Sequence, residues 1–224
     1  MRRFPLTTAA VLLLAAAAVV QFTVAGAVAA LQRDPAALAA GEWWRLATPL
    51  LVQTLGRFQV AMNLVSLAIV GALVEQRLGR VRWVLLALAG TVAGQVSAYL
   101  QSDPGGGASI AVCGLAAGRL VAGLRVPSRA DVVVVLYVAA LAGWGFGGPV
   151  PALGAAVLAG LLWTVAGRAA LAAIGLAAMV LLVRGDLHGS ALTGGLVMAI
   201  LLVREDRPGE RARRAGDGPD RPVL

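Results

Sequence analysis

Apolar positions in this chain are not striped; they run together. Stretches rich in Ala, Leu, Val and Ile occupy roughly residues 8–30, 58–76, 82–101, 108–125, 131–147, 149–167, 169–183 and 187–203, and polar residues collect in the gaps. An apolar run of about 20 residues spans a bilayer as a helix, because a helix satisfies its own backbone where water is absent. The pattern predicts an all-α polytopic membrane protein with eight spans. The seventh run is short, about fifteen residues, and only Gly167 and Arg168 divide it from the sixth. The first run resembles a secretory signal, with Arg2 and Arg3, an apolar stretch and the segment AVAA. Its length, and the spans that follow, favour a retained first helix.

The arginines orient the array. With the N-terminus in the cytoplasm, Arg2, Arg3, Arg77, Arg80, Arg82, Arg119, Arg125, Arg129, Arg168 and the six tail arginines fall on or near the cytoplasmic side. Arg33, Arg45, Arg57 and Arg184 fall outside, so fifteen stand against four. That is the positive-inside bias. Merging the sixth and seventh runs would put the basic tail outside. Residues 1–203 read as one transmembrane domain, and 204–224, charged and rich in Pro and Gly, as a disordered basic cytoplasmic tail attracted to anionic lipid.

Composition sharpens this picture in three ways. With 59% hydrophobic and 13% charged residues, the chain cannot build a water-soluble surface. The net charge of +8 comes with all nineteen basic residues as Arg, spread between apolar runs and in the tail, so a nucleic-acid partner is excluded. One cysteine, Cys113, and one histidine leave no material for an internal disulfide or a metal centre, and no cofactor is expected. Abundant Ala, Gly and Arg without Lys suggests a GC-rich bacterial genome and hence the plasma membrane.

Three polar residues then stand out by depth. The second, fourth and eighth runs all cross from outside to inside. Asn63, Ser109 and His188 lie near the outer start of each. Polar side chains in that region are costly without partners or water. A Ser and a His that meet form the minimum nucleophile and general base, and an Asn amide can donate to a developing oxyanion. Each also has a plain structural reading: a helix cap for Ser109, an interfacial ring for His188, a helix–helix hydrogen bond for Asn63.

Four segments resemble those of the rhomboid intramembrane serine proteases. GEWWRLATPLL (41–51) is similar to the Trp-Arg signature of the first external loop, with Trp44 and Arg45 in its positions. AMNLVSLAIVGALVEQRLG (61–79) resembles the family's second helix, GASIAVCG (107–114) its Gly-x-Ser nucleophile motif, and HGSALTGG (188–195) its catalytic helix. The motifs lie within 41–125 and 186–203. The resemblance implies a six-helix core with about two additional helices, a Ser109–His188 dyad, and transmembrane proteins as substrates, cut near the outer face. It further implies an oxyanion site from Asn63, Gln59 and the first N–H groups of the nucleophile helix. Gly107, Gly114, Gly118, Ala191 and Gly195 would give the close approach of the fourth and eighth spans, and Glu75 with Arg77 resembles a structural pair. Trp43, Trp44 and Trp83 fit interfacial anchoring.

The departures leave a second reading open. Gln59 stands where the family usually has His, and Ile110 where Gly normally follows the nucleophile. A β-branched side chain there is expected to crowd the approach to Ser109. Cys113 replaces a frequent aromatic and reads as a small buried thiol. The alternative reading is an inactive relative that binds transmembrane helices without cutting them. Run 149–167 is an alternative sixth core helix, though it brings no histidine. A solute transporter has little support, with no inverted repeat and no broken-helix pair.

Overall fold

The structure is a computed structural model describing residues 4–204, so the tail expected at 204–224 lies almost wholly outside the described residues. Helix α1 covers Pro5–Thr23 and opens on a proline, whose fixed φ suits a first helical turn. The apolar run continues to residue 30, but Gly26 at φ +81° breaks the helix, and a separate short α2, Ala27–Leu31, follows. Asp34 caps α3, Pro35–Ala39, by accepting from Ala36 and Ala37 N–H. Two 3₁₀ turns, Trp43–Leu46 and Thr48–Leu50, complete a long connecting segment. Then come α4 (Gly56–Leu78), α5 (Arg80–Leu100), α6 (Ser109–Arg125), α7 (Asp131–Gly147), α8 (Pro149–Val183) and α9 (Leu187–Arg204). No strand occurs among the described residues.

The predicted division near Gly167 takes a particular form. Helix α8 runs through Ala166, whose φ −151° and ψ 69° are not helical. Gly143, near the end of α7, packs against Pro151, and Gly145 faces Leu181. Residues thirty positions apart in a straight helix lie about 45 Å apart, so both cannot reach the same end of α7. The chain therefore reverses at Ala166, and α8 is a hairpin of two antiparallel segments. The sixth and seventh apolar runs are separate helical segments.

Helix α6 is the centre of the bundle, with twelve of its 17 residues buried. Helix α9 packs on both α5 and α6, whereas the first half of α8 leans on α7 and turns Val150, Leu153, Leu161 and Val165 outward. Of the two candidates for the sixth core helix, the one carrying His188 occupies the interior. Large apolar side chains also cover the outer faces of α1, α4 and α5, including Leu12, Leu13, Val65, Ile69 and Val92. A surface of that extent belongs in lipid, where it gains what it would lose in water. Four segments (Pro5–Thr23, Gly56–Leu78, Arg80–Leu100, Pro149–Gly167) are long and apolar enough to cross a membrane, and three shorter apolar helices accompany them. The protein is a multi-pass helical membrane protein.

Polar ties sit at the two ends of the bundle. At the end opposite Ser109, buried Arg119 pairs with buried Asp131 at 2.7 Å and donates to the Ser128 hydroxyl, joining α6 to α7. Glu75 accepts from the N–H groups of Leu6 and Thr7 and from the Thr7 hydroxyl, so it holds the start of α1 rather than bonding Arg77. Arg77 donates to the Ala122 and Val126 carbonyls at the end of α6. The two residues resembling a pair thus serve two different helices. Trp83 departs from the anchoring expectation: it is buried, with its ring nitrogen near Gly71 of α4, because glycine leaves room for the indole. Trp43 and Trp44 stay exposed.

Candidate active site

Ser109 is the first residue of α6, and the chain leading to it is pinned on several sides. Arg33 and Gly105 exchange both backbone hydrogen bonds, and the buried Arg33 guanidinium donates to the Asp103 carbonyl, the Asp103 carboxylate and Gln95. Gly107 N–H donates to the Pro49 carbonyl at 2.8 Å. The glycines of this loop make those contacts possible. A Cβ on Gly106 would lie 2.7 Å from the Val52 carbonyl oxygen, and one on Gly107 would strike the Gln59 amide at a backbone φ of +155°. The loop is thus pressed between the connecting segment and α4, which fixes where Ser109 emerges.

His188 comes from the other side, one residue into α9. Its approach depends on small residues: a Cβ on Gly195 would sit 2.7 Å from both Cα and O of Gly114. Of the residues expected at this contact, Gly114 and Gly195 meet there. Gly118 faces Leu86 and Ala191 approaches Gly94, both on α5, while Gly107 accommodates the amides of α4. All serve close packing, but around three neighbours rather than one seam.

The result places Ser109 Oγ 2.9 Å from His188 Nε2. On the far side of the ring, Nδ1 lies 2.9 Å from Asp186 Oδ1. A carboxylate oxygen only accepts, so the consistent tautomer carries its proton on Nδ1 and turns the Nε2 lone pair to the Ser109 hydroxyl. Asp186 sits in the turn between α8 and α9. Burial alone would raise its carboxyl, but the hydrogen bond and charge of the His188 ring, with backbone N–H groups of His188 and Gly189, hold it below the ordinary value.

Asn63 and Gln59 complete the group from α4. Asn63 is buried and donates from Nδ2 to Gln53 Oε1, an oxygen that Ala108 N–H also approaches at 3.4 Å. Gln59 donates to the Gly106 carbonyl at 2.9 Å and accepts from Leu55 N–H. Each amide nitrogen carries a second proton beyond these bonds. Ser109, His188, Asn63 and Gln59 all line one cavity of about 340 Å³, with Phe58 and Met62 of α4, Tyr137 and Trp144 of α7, and Ala152 and Leu153 of α8 among its apolar walls. No group of residues suited to a metal ion occurs among the described residues.

Ile110 corrects an expectation. Its side chain is buried and turns to α5, where Gly94 presents no Cβ: one built there would meet Ile110 Cγ2 at 2.7 Å. The β-branched residue therefore fills a notch in the neighbouring helix and leaves the approach to Ser109 open. Cys113 is buried, its sulfur 3.8 Å from the Tyr137 hydroxyl. Trp44 donates to the Ala30 carbonyl, and Arg45, also buried, bonds Glu42 and the Ala29 and Gln32 carbonyls, so this pair folds the connecting segment back on itself.

Three contributors escaped the sequence reading: Asp186, Gln53 and Arg33. Asp186 was detectable, since an acidic residue just before a helix, two positions from His188, is a typical cap. Gln53 and Arg33 carry no local signal; both matter through partners remote along the chain.

Comparison with known proteins accords with this arrangement. The family model described as "Rhomboid domain" matches residues 40–204. "Rhomboid protease GluP" of Bacillus subtilis (strain 168) is 36% identical over 83 residues, which are 37% of this chain and 16% of that protein's length. No solved structure matches the chain. A family match over most of the chain, with four quoted motifs inside it, establishes that this protein belongs to the rhomboid family.

Proposed function

We propose that the chain is an intramembrane serine endopeptidase that cleaves transmembrane proteins near the outer face of a bacterial plasma membrane, with both of its own termini cytoplasmic. The observation that carries this reading is the 2.9 Å contact of Ser109 Oγ with His188 Nε2 at the wall of an apolar cavity. The similar Bacillus subtilis protein is named a protease, which favours the same reading.

The chemistry follows from the atoms. Ser109 Oγ attacks the carbonyl carbon of a scissile peptide as its proton passes to His188 Nε2. The negative charge gathered on the carbonyl oxygen needs donors already in place. Candidates are the second protons of Asn63 Nδ2 and Gln59 Nε2 and the opening N–H groups of α6, which have no acceptor within their own helix. Collapse of the tetrahedral species breaks the C–N bond, and the imidazolium returns its proton to the leaving amine. Water then attacks the acyl carbon as it gives a proton to the same nitrogen. The bond from that carbon to Ser109 Oγ breaks, and the imidazolium returns the proton to Oγ, which frees the acid and restores the pair. Gln59 in place of a histidine keeps a donor in this set. With Ile110 directed at α5, one of the two departures that favoured an inactive helix-binding relative loses its force.

Fluorophosphonate labelling of the purified protein tests the proposal. Labelling of the wild-type chain that vanishes in Ser109→Ala and in His188→Ala is the expected result. A folded wild-type protein that takes no label, yet captures transmembrane helices in the bilayer, would establish the inactive relative instead.

A further inference from the structure

We propose that Asp186 is a positioning residue that fixes the tautomer of His188, so that the proposed site works as a three-member relay rather than as an isolated Ser–His pair. This rests on the protease reading for its consequence but on geometry alone for its substance. One carboxylate oxygen, Oδ1, accepts both from the His188 ring at 2.9 Å and from the His188 backbone N–H at 2.7 Å. A single atom thereby ties the His188 ring to its own backbone, and the remaining ring nitrogen points at Ser109 Oγ.

The turn that presents this carboxylate is itself fixed. Arg184, Gly185 and Asp186 donate their N–H groups to the Val180, Leu182 and Leu181 carbonyls, closing the end of α8 with Gly185 at φ +74°. Ser190 N–H then bonds the Asp186 carbonyl, opening α9 one residue later. Gly189 lets α9 start this close, since a Cβ there would overlap the Leu181–Leu182 backbone. Asp186 thus ends one helix and caps the next, and both anchors restrict its χ angles. Around the His188–Asp186 pair, Ser109 of α6 contacts the ring, Tyr137 of α7 lines the same cavity as His188, and Arg184 of the same turn directs its guanidinium over the Phe146 ring, 4.6 Å from its centre. None of them duplicates the carboxylate.

Capping alone would explain the backbone bond, but not the ring. An unpartnered imidazole in water prefers its proton on Nε2, the tautomer that cannot accept from Ser109. A carboxylate at Nδ1 reverses that preference and stabilises the imidazolium formed during attack. The proton taken from Ser109 goes to Nε2, the Nδ1 proton stays on the ring, and Asp186 remains ionised throughout.

His188 is the protein's single histidine, so its ring can be read without assignment ambiguity. Protein labelled with ¹⁵N-histidine and purified without a polyhistidine tag is compared with Asp186→Asn and Asp186→Ser by imidazole nitrogen NMR, melting, and cleavage of a transmembrane reporter. Both replacements are good helix caps. The relay predicts an Nδ1–H tautomer in the wild type, Nε2–H in the Ser variant, melting close to wild type, and a kcat about tenfold or more lower in both variants with KM little changed. An Nε2–H wild-type ring, or wild-type kcat in both variants, reduces Asp186 to a cap and overturns the proposal. Should both variants misfold, the wild-type tautomer decides alone. A ring with Nδ1–H in a protein that takes no fluorophosphonate label would sink the protease reading and leave the relay geometry standing.

Discussion

Replacing Gly195 with alanine probes how far the Ser109–His188 contact depends on helix spacing. The added Cβ would lie 2.7 Å from Gly114 Cα and O and 2.8 Å from Ala117 Cβ. None of these atoms can rotate away, because two are backbone and the third is an alanine methyl. Reaching an ordinary separation of 3.4 Å requires α6 and α9 to part by about 0.7 Å. The disturbed position is seven residues, about two turns, from His188 along the same helix. Passed on undiminished, the shift carries a 2.9 Å contact beyond 3.5 Å, where it is no longer a hydrogen bond. Overpacking of this kind costs about 1–3 kcal/mol of stability. Loss of the general base costs roughly 10²–10⁴ in rate. The assay pairs a melting curve in detergent with the second-order rate of fluorophosphonate labelling. Gly175→Ala serves as control, since a Cβ there meets nothing within 4 Å and alanine is the better helix former. Gly195→Ala should melt lower and label at least tenfold more slowly, while Gly175→Ala matches the wild type. Equal labelling rates in the two variants would refute the spacing argument.

Other perturbations address separate parts of the molecule. Asn63→Ala should lower kcat about tenfold or more with little change in KM if its amide donates to the oxyanion, and unchanged turnover removes it from the mechanism. Glu75→Ala strips three acceptor contacts from the start of α1 and should cost about 1–3 kcal/mol, seen as a lower melting point and faster exchange of the Leu6 and Thr7 amides. The Asp186 carboxyl is held below its ordinary value of 3.8, so its stabilising contribution is complete above that pH and lost as pH falls through the lower folded value. Melting of wild type and Asp186→Asn should therefore converge on acidification below pH 4, and a gap that stays constant there would show that the charge plays no part.

The apolar runs anticipated the helices because nothing else in this chain competes with them. Even the doubtful boundary at Gly167 was real: the helix path fails at Ala166, one residue away. Depth, read from the direction of each run, brought Ser109, His188 and Asn63 to one level, and the structure gathers them around one cavity. Facing was less accessible. Whether Ile110 obstructs Ser109 depends on a glycine sixteen positions earlier on another helix, which no local pattern reveals. Trp83 was misjudged for the same reason: an aromatic residue at a helix start reads as interfacial until Gly71 is known to lie against it. Glu75 was assigned a neighbour in sequence, whereas its hydrogen bonds go to residues nearly seventy positions away.

The hairpin of α8 also has a meaning for synthesis. Nucleophile and imidazole are 79 residues apart, so α7 and both segments of α8 are synthesised between them. Because the histidine lies on α9, C-terminal to the serine, a chain made only as far as α8 holds a serine without its base. On the proposed reading, a half-made hydrolase needs no restraint in the membrane, since competence comes only with α9, which is made after the nucleophile helix.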